Sequence, residues 1–157
     1  MSNISVIIPL YNKEQEVERM LRSVIEQSLT PHEIIVIDDG STDRSATIVK
    51  EFIKQHPDAG IRIICQPNSG VSAARNRGIQ EAQTEYVALL DADDYWLTGY
   101  IAEICRLMEY YPNADAYSTA FDIVTGEQRT IAPGPINEGI IEPAVEALQG
   151  RYPIIPS

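Results

Sequence analysis

The sequence predicts an α/β fold built on a mainly parallel sheet. Short apolar, β-branched runs alternate with segments of helical period along roughly the first two-thirds of the chain, which is the mark of right-handed βαβ units. Polar clusters close the strand candidates at Tyr11-Asn12, Asp38-Asp39-Gly40-Ser41, Asn68-Ser69-Gly70 and Asp91-Ala92-Asp93-Asp94. Ligands of open parallel sheets bind where strand C-termini meet the following loops, so the four clusters are expected along one edge.

Ile4 to Leu10 is the first strand, a β-branched run with Pro9 near its end. Lys13 to Gln27 reads as a helix with Val17, Met20, Leu21, Val24 and Ile25 on one face, and Asn12 with Gln15 resembles a capping pair. Glu33 to Ile37 is the second strand. Asp43 to Gln55 is the second helix, with Ile48, Val49, Phe52 and Ile53 inward. Ile61 to Cys65 is the third strand, Val71 to Ala82 the third helix, and Glu85 to Leu90 a buried fourth strand. Tyr100 to Tyr110 then reads as a helix and Ala116 to Val124 as a strand. After about Thr125 the pattern weakens. Pro133, Gly134, Pro135, Gly139 and Pro143 punctuate a region with one short helical candidate, Pro143 to Gln149.

The chain has 157 residues, enough for one domain with a core. Twelve Lys plus Arg stand against 23 Asp plus Glu, a formal charge of -11. So acidic a surface repels phosphate backbones and argues against a nucleic-acid partner. A small anionic ligand needs a metal ion or helix N-termini to offset that field. Cys65 and Cys105 each lie in an apolar run and are expected to be buried structural thiols in a reducing compartment. No stretch has signal-peptide form or bilayer-spanning length, so the protein is expected to be soluble and cytoplasmic, or at the inner face of the membrane. His32 and His56, beside prolines in connecting segments, read as surface residues.

Three segments carry chemistry. Asp91, Asp93 and Asp94 follow the fourth strand within four residues; carboxylates so close repel one another unless a cation or donors neutralise them. Mg²⁺ or Mn²⁺ is the natural partner, taking oxygen ligands and leaving room for substrate phosphates. The bland alternative is a solvated acidic turn. At Asp38-Asp39, one carboxylate can accept from a nucleobase N–H, while Gly40 turns the chain and Ser41 or Asp43 caps the second helix. In the third segment, Asn68 to Asn76, small residues would let the helix approach a ligand. Arg75 there reads equally as an anion contact or a surface Arg. Tyr11 either stacks on a base or covers the sheet edge. No P-loop, dinucleotide fingerprint or nucleophile elbow appears in the sequence.

Together these segments resemble glycosyltransferase family 2. Val6-Ile-Ile-Pro-Leu-Tyr-Asn12, Glu33-Ile-Ile-Val-Ile-Asp-Asp-Gly-Ser-Thr-Asp43, Asn68-Ser-Gly-Val-Ser-Ala-Ala-Arg-Asn76 and Tyr86-Val-Ala-Leu-Leu-Asp-Ala-Asp-Asp94 occur in the family's order and spacing. The resemblance implies a GT-A fold, with a Rossmann-like sheet, and inverting transfer of a sugar from a nucleotide-diphosphate donor. It places Pro9, Tyr11 and Asp39 at the base, with Asp39 favouring uracil and hence UDP-sugars. It puts Asn68, Arg75, Asp91 and Ala92 around the nucleotide sugar, and Asp93 on the Mn²⁺ or Mg²⁺ that bridges the diphosphate. A glycan or lipid-linked acceptor in bacterial surface-glycan synthesis follows by the same analogy.

The family's acidic general base has no matching motif here; Glu138, Glu142 and Glu146 lie in an irregular or helical stretch. Residues 1–125 are therefore expected to be the nucleotide-sugar-binding core and residues 126–157 the start of an acceptor-side region. Such a chain would bind donor without efficient transfer. A non-catalytic nucleotide-sugar-binding module and a nucleotidyltransferase are the rival readings.

Overall fold

The computed structural model describes residues 1–119, 122–125 and 128–131. Strands β1 (Ile4–Leu10), β2 (Glu33–Asp38), β3 (Ile61–Cys65) and β4 (Tyr86–Leu89) form one sheet in the order β3-β2-β1-β4. All three pairings are parallel. β1 and β2 are buried at every residue, as central strands covered on both faces must be, and this is why they read as continuous apolar runs.

Helix α1 (Val17–Ile25) joins β1 to β2, and α2 (Ser45–Gln55) joins β2 to β3. Helix α3 (Val71–Glu81) returns over β2 and β1 to reach β4. Right-handed crossovers made first in one direction and then in reverse place α1 and α2 on one face and α3 on the other. On the α3 face, Ile7, Ile35 and Ile37 pack against Ala74. A Cβ on Gly78 would stand 2.2 Å from Ile7 Cγ2, so the helix lies nearly backbone to side chain on β1. The small residues of α3 thus serve close packing on the sheet, at Ala74 and Gly78; ligand approach is not what these two allow.

The strand order reverses between β1 and β4, and Pro9 lies near the carboxyl end of β1 at that switch point. Ile7 O accepts from Leu90 N, so the odd-numbered backbone groups of β1 face β4. Proline has no N–H to continue that ladder. Pairing with β4 stops at Ile7, two residues before Pro9, while pairing with β2 runs on to Leu10. The chain after Leu89 is thereby freed to leave the sheet.

The opposite edge is knit by buried polar groups. Glu33, 8% exposed, accepts from Ser5 Oγ and from Gln83 N–H, both at 2.8 Å, and from Arg62 Nε at 3.2 Å. Burial pushes its carboxyl upward, but these donors together hold it below the ordinary carboxylate value.

Helix α4 (Tyr100–Tyr110) runs from the first compact unit, Met1–Cys105, into the second, Arg106–Ser157. In the second unit β5 (Asp122–Thr125) pairs antiparallel with β6 (Gln128–Ile131), and Tyr117 donates its hydroxyl to Tyr111 O. No helix among the described residues is long and apolar enough to cross a membrane.

Several expectations are corrected. α1 begins at Val17, not Lys13, and carries no side-chain cap. Asn12 sits at φ 50°, which breaks the helical run, and its side chain serves the second loop instead of Gln15. Ile48 and Ile53 are half-buried, with Val49, Phe52 and Ser45 forming the buried face of α2. β4 is an edge strand, so Val87 (37%) and Leu89 (46%) remain exposed. Residues 116–119 have no regular structure, and the strand expected there begins only at Asp122. Cys65 ends an edge strand and is exposed, and Cys105 is half-buried; neither forms a disulfide. The helix expected at 143–149 and Glu138, Glu142 and Glu146 lie outside the described residues.

Candidate active site at the carboxyl edge of the sheet

Four parallel strands deliver four polar loops to one edge, and hydrogen bonds lace these loops into a closed ring. The first joins the second through Asn12, whose Oδ1 accepts from Thr42 N–H at 2.8 Å while its own N–H donates to Ser41 Oγ at 3.1 Å. A left-handed φ is tolerable for Asn because its short polar side chain bonds locally. Lys13 N–H donates to the fully buried Ser45 Oγ at 2.8 Å, which pins the start of that loop. Asp43 supplies the helix-start chemistry expected of it, accepting from Ser45 N–H at 2.9 Å and from Glu14 N–H at 3.2 Å.

Asp39 ties the second loop to the third. It is 3% exposed; Oδ1 accepts from Gln66 Nε2 (2.8 Å) and Ser69 N–H (2.9 Å), and Oδ2 from Gly70 N–H (2.8 Å). The carboxylate thus holds the two residues that precede α3. Gly40 makes this approach feasible: it has φ 75°, and a Cβ there would stand 2.9 Å from Asn68 N. Asn68 itself is exposed. Tyr11, 47% exposed at the end of β1, presents a free aromatic face, whereas Pro9 is buried within the strand.

The acidic segment is a tight turn closed by Asp94 N–H on Asp91 O at 3.1 Å, with Ala92 buried beneath it (3% exposed). The turn sends its first two carboxylates to different cations. Arg75 Nη2, on the α3 helix that follows the third loop, reaches both oxygens of Asp91, at 2.7 and 3.0 Å, which ties that helix to the fourth loop. Lys13 Nζ reaches Asp93 Oδ2 at 2.8 Å, which closes the fourth onto the first. That hydrogen bond holds the Asp93 carboxyl below its ordinary value and Lys13 above its own. Asp94 moves the other way, pushed up by burial and then by the charges of Asp93 and Asp91.

Two contributors were not legible in the sequence. Arg19 donates to Asp93 O at 3.1 Å and lies over the Tyr95 ring, bracing the turn from α1. Gln27, 5% exposed, donates to Leu97 O (2.8 Å) and accepts from Ile101 N–H (3.0 Å), docking the chain beyond the turn. These partners lie 70 to 74 residues away in sequence, and neither residue type marks such a role.

No group of three or more His, Cys, Asp or Glu among the described residues is arranged to hold a metal by itself. The donor set still suits a hard divalent ion that takes one or two carboxylates and completes its shell from water and phosphate. Of these carboxylates, Asp93 carries the Lys13 ammonium at 2.8 Å.

The family model described as glycosyl transferase family 2 matches residues 5–146. Among relatives, the chain is similar to the glycosyltransferase EpsJ of Bacillus subtilis, with 35% identity over 130 residues, 83% of this chain and 37% of that one. Among solved structures it is similar to S. aureus TarS in complex with UDP-GlcNAc, with TM-score 0.63, 28% identity, and 69% of this chain and 32% of that one covered. The mannosyltransferase PcManGT from Pyrobaculum calidifontis, in complex with GDP-Man and Mn²⁺, gives TM-score 0.64 and 28% identity over 68% of this chain and 32% of that one. The chain spans about a third of the length of these proteins. Its four-stranded parallel sheet and its flanking helices are those of a GT-A fold, and the chain belongs to glycosyl transferase family 2.

Proposed function

We propose that this chain binds the donor of an inverting glycosyltransferase, a nucleotide-diphosphate sugar with UDP as the favoured nucleotide. The observation that carries the reading is the loop ring, which sets an exposed aromatic, a buried carboxylate and an acidic turn around the β1/β4 crevice. That crevice is where open α/β sheets take ligands. The complexes of TarS with UDP-GlcNAc and of PcManGT with GDP-Man and Mn²⁺ support it by similarity.

In this reading Tyr11 stacks on the base, and Asp39 accepts a base N–H with a lone pair left on Oδ2, which has a single donor among the described residues. Asn68 borders the donor from the third loop, while Pro9 and Ala92, both buried, shape the site through the backbone. Asp91, held by Arg75, faces the ribose, and Asp93 ligates Mn²⁺ or Mg²⁺. The metal, when bound, supplies Lewis-acid stabilisation of charge on the departing diphosphate. The chain's own residues orient the donor and place its phosphates away from Asp94 and its like charge. The general base is left unassigned. We place residues 1–125 as the donor core and residues 126–157 at the start of the acceptor side. The acceptor class, a glycan or lipid-linked hydroxyl of surface-glycan assembly, rests on the resemblance alone, as does a cytoplasmic setting.

Calorimetric titration with UDP, with and without Mn²⁺, tests the reading. Binding that needs Mn²⁺ and falls at least tenfold or so in Asp93→Ala is expected, as for loss of a charged ligand contact. Metal-independent binding, or equal binding by the variant, contradicts the metal role given to Asp93.

A further inference from the structure

The acidic turn meets two cations in unlike ways. Arg75 is set for permanence: it spans both oxygens of Asp91, the side chains are only 26% and 33% exposed, and Arg75 Nε is buried. Lys13 is set for exchange. Its side chain and that of Asp93 are 37% and 49% exposed and share one contact, and pairs of this kind contribute little. The Lys13 backbone is pinned by Ser45, so only a flexible stem and a compact ammonium need to move. Nor does the turn need Lys13 for its shape. The Asp94-to-Asp91 bond, buried Ala92, Arg75 on Asp91 and Arg19 on Asp93 O hold it independently.

We propose that the Lys13 ammonium holds the divalent-cation position at Asp93 in the ligand-free protein, yields it to the metal, and then pairs with the donor's phosphate. The inference rests on the donor-site reading and adds a positioning residue to it. In a chain of net charge -11, the stand-in cation spares Asp93 from facing Asp91 and Asp94 uncompensated. After exchange, the released ammonium is tethered two residues from Tyr11, and beside Glu16 and Asp91, whose charges already act on it, a bound diphosphate offers it a new partner.

The test compares the chain with Lys13→Met and Lys13→Arg by two readouts. The first is Mn²⁺ alone, read as the concentration that half-quenches the backbone amide signals of residues 91–94. The second is the calorimetric Kd for UDP at saturating Mn²⁺. Removing a competitor worth no more than an exposed ion pair should lower the half-quenching concentration of Lys13→Met about threefold. Loss of a charge-assisted phosphate contact should raise its Kd for UDP about tenfold. Lys13→Arg should restore UDP binding to within about twofold, since it keeps the charge-assisted contact. Opposite movement of the two constants is the expected result, because a merely structural lysine would weaken both. Unchanged constants, weakening of both, or no quenching at residues 91–94 in either protein overturns the exchange. If wild type quenches as expected but binds no UDP with Mn²⁺, the donor-site reading fails instead, and with it the phosphate half of the proposal.

Discussion

Asp39 and Glu33 show how one chemical group, a buried carboxylate, can hold opposite edges of a sheet. Each is a buried carboxylate fed by three donors, Asp39 from the loop before α3 and Glu33 from the starts of β1, β3 and the segment before β4. Replacing Asp39 by Ala leaves the Ser69 and Gly70 N–H groups and Gln66 without an acceptor. A loss of about 1–3 kcal/mol in urea unfolding is expected, together with loss of Mn²⁺-dependent UDP binding. For Glu33 the sign follows from its depressed carboxyl. The ionised form is favoured by folding, so its stabilisation is present above the unfolded value of 4.5 and disappears as pH falls through the lower folded one. Glu33→Gln should therefore be less stable than wild type near neutral pH, and the gap should narrow in acid; a gap independent of pH in thermal melts contradicts this. The sequence makes Asp39 conspicuous as one of two adjacent Asp, but not its donors, which lie 27 to 31 residues away. Glu33 drew no notice, since a carboxylate at a strand start reads as solvated until its three partners are in place.

Among the elements, helix α3 makes the sharpest demand. Gly→Ala within a helix ordinarily stabilises by up to about 1 kcal/mol. At Gly78 the new methyl meets Ile7 Cγ2 at 2.2 Å, inside a core that cannot yield cheaply. Overpacking of this kind costs about 1–3 kcal/mol and should win, so Gly78→Ala is expected to lower stability in urea unfolding. Unchanged or raised stability would show that α3 can lift off the sheet without cost. Element bounds were legible where the apolar pattern is decided by the sheet: β3 and α4 fall where the periodicity puts them, and β1 does too. The first helix was misjudged because Asn12 leaves the helical region to bond the second loop, a tertiary demand that overrides a local capping pattern. The fourth strand read as buried from its composition, whereas its place at the edge of the sheet decides its exposure. The same applies to Cys65 at the end of β3.

Across the whole molecule, the topology does the collecting: parallel strands bring clusters separated by up to 80 residues to one edge, and side chains from each loop lock the next. That much was legible, because four polar clusters at four strand ends can converge only if the strands run parallel. The ring itself was not, since its closures through Lys13, Asn12 and Arg75 depend on loop geometry. On the proposed reading, these four loops form one donor site. The most direct test is a titration of the ¹⁵N-labelled chain with UDP and Mg²⁺, followed by backbone amide shifts. Concerted shifts, with one shared affinity, are expected in residues 11–13, 39–42, 66–70 and 91–94. Shifts confined to one loop, or centred on the opposite edge around His32 and His56, would contradict that reading.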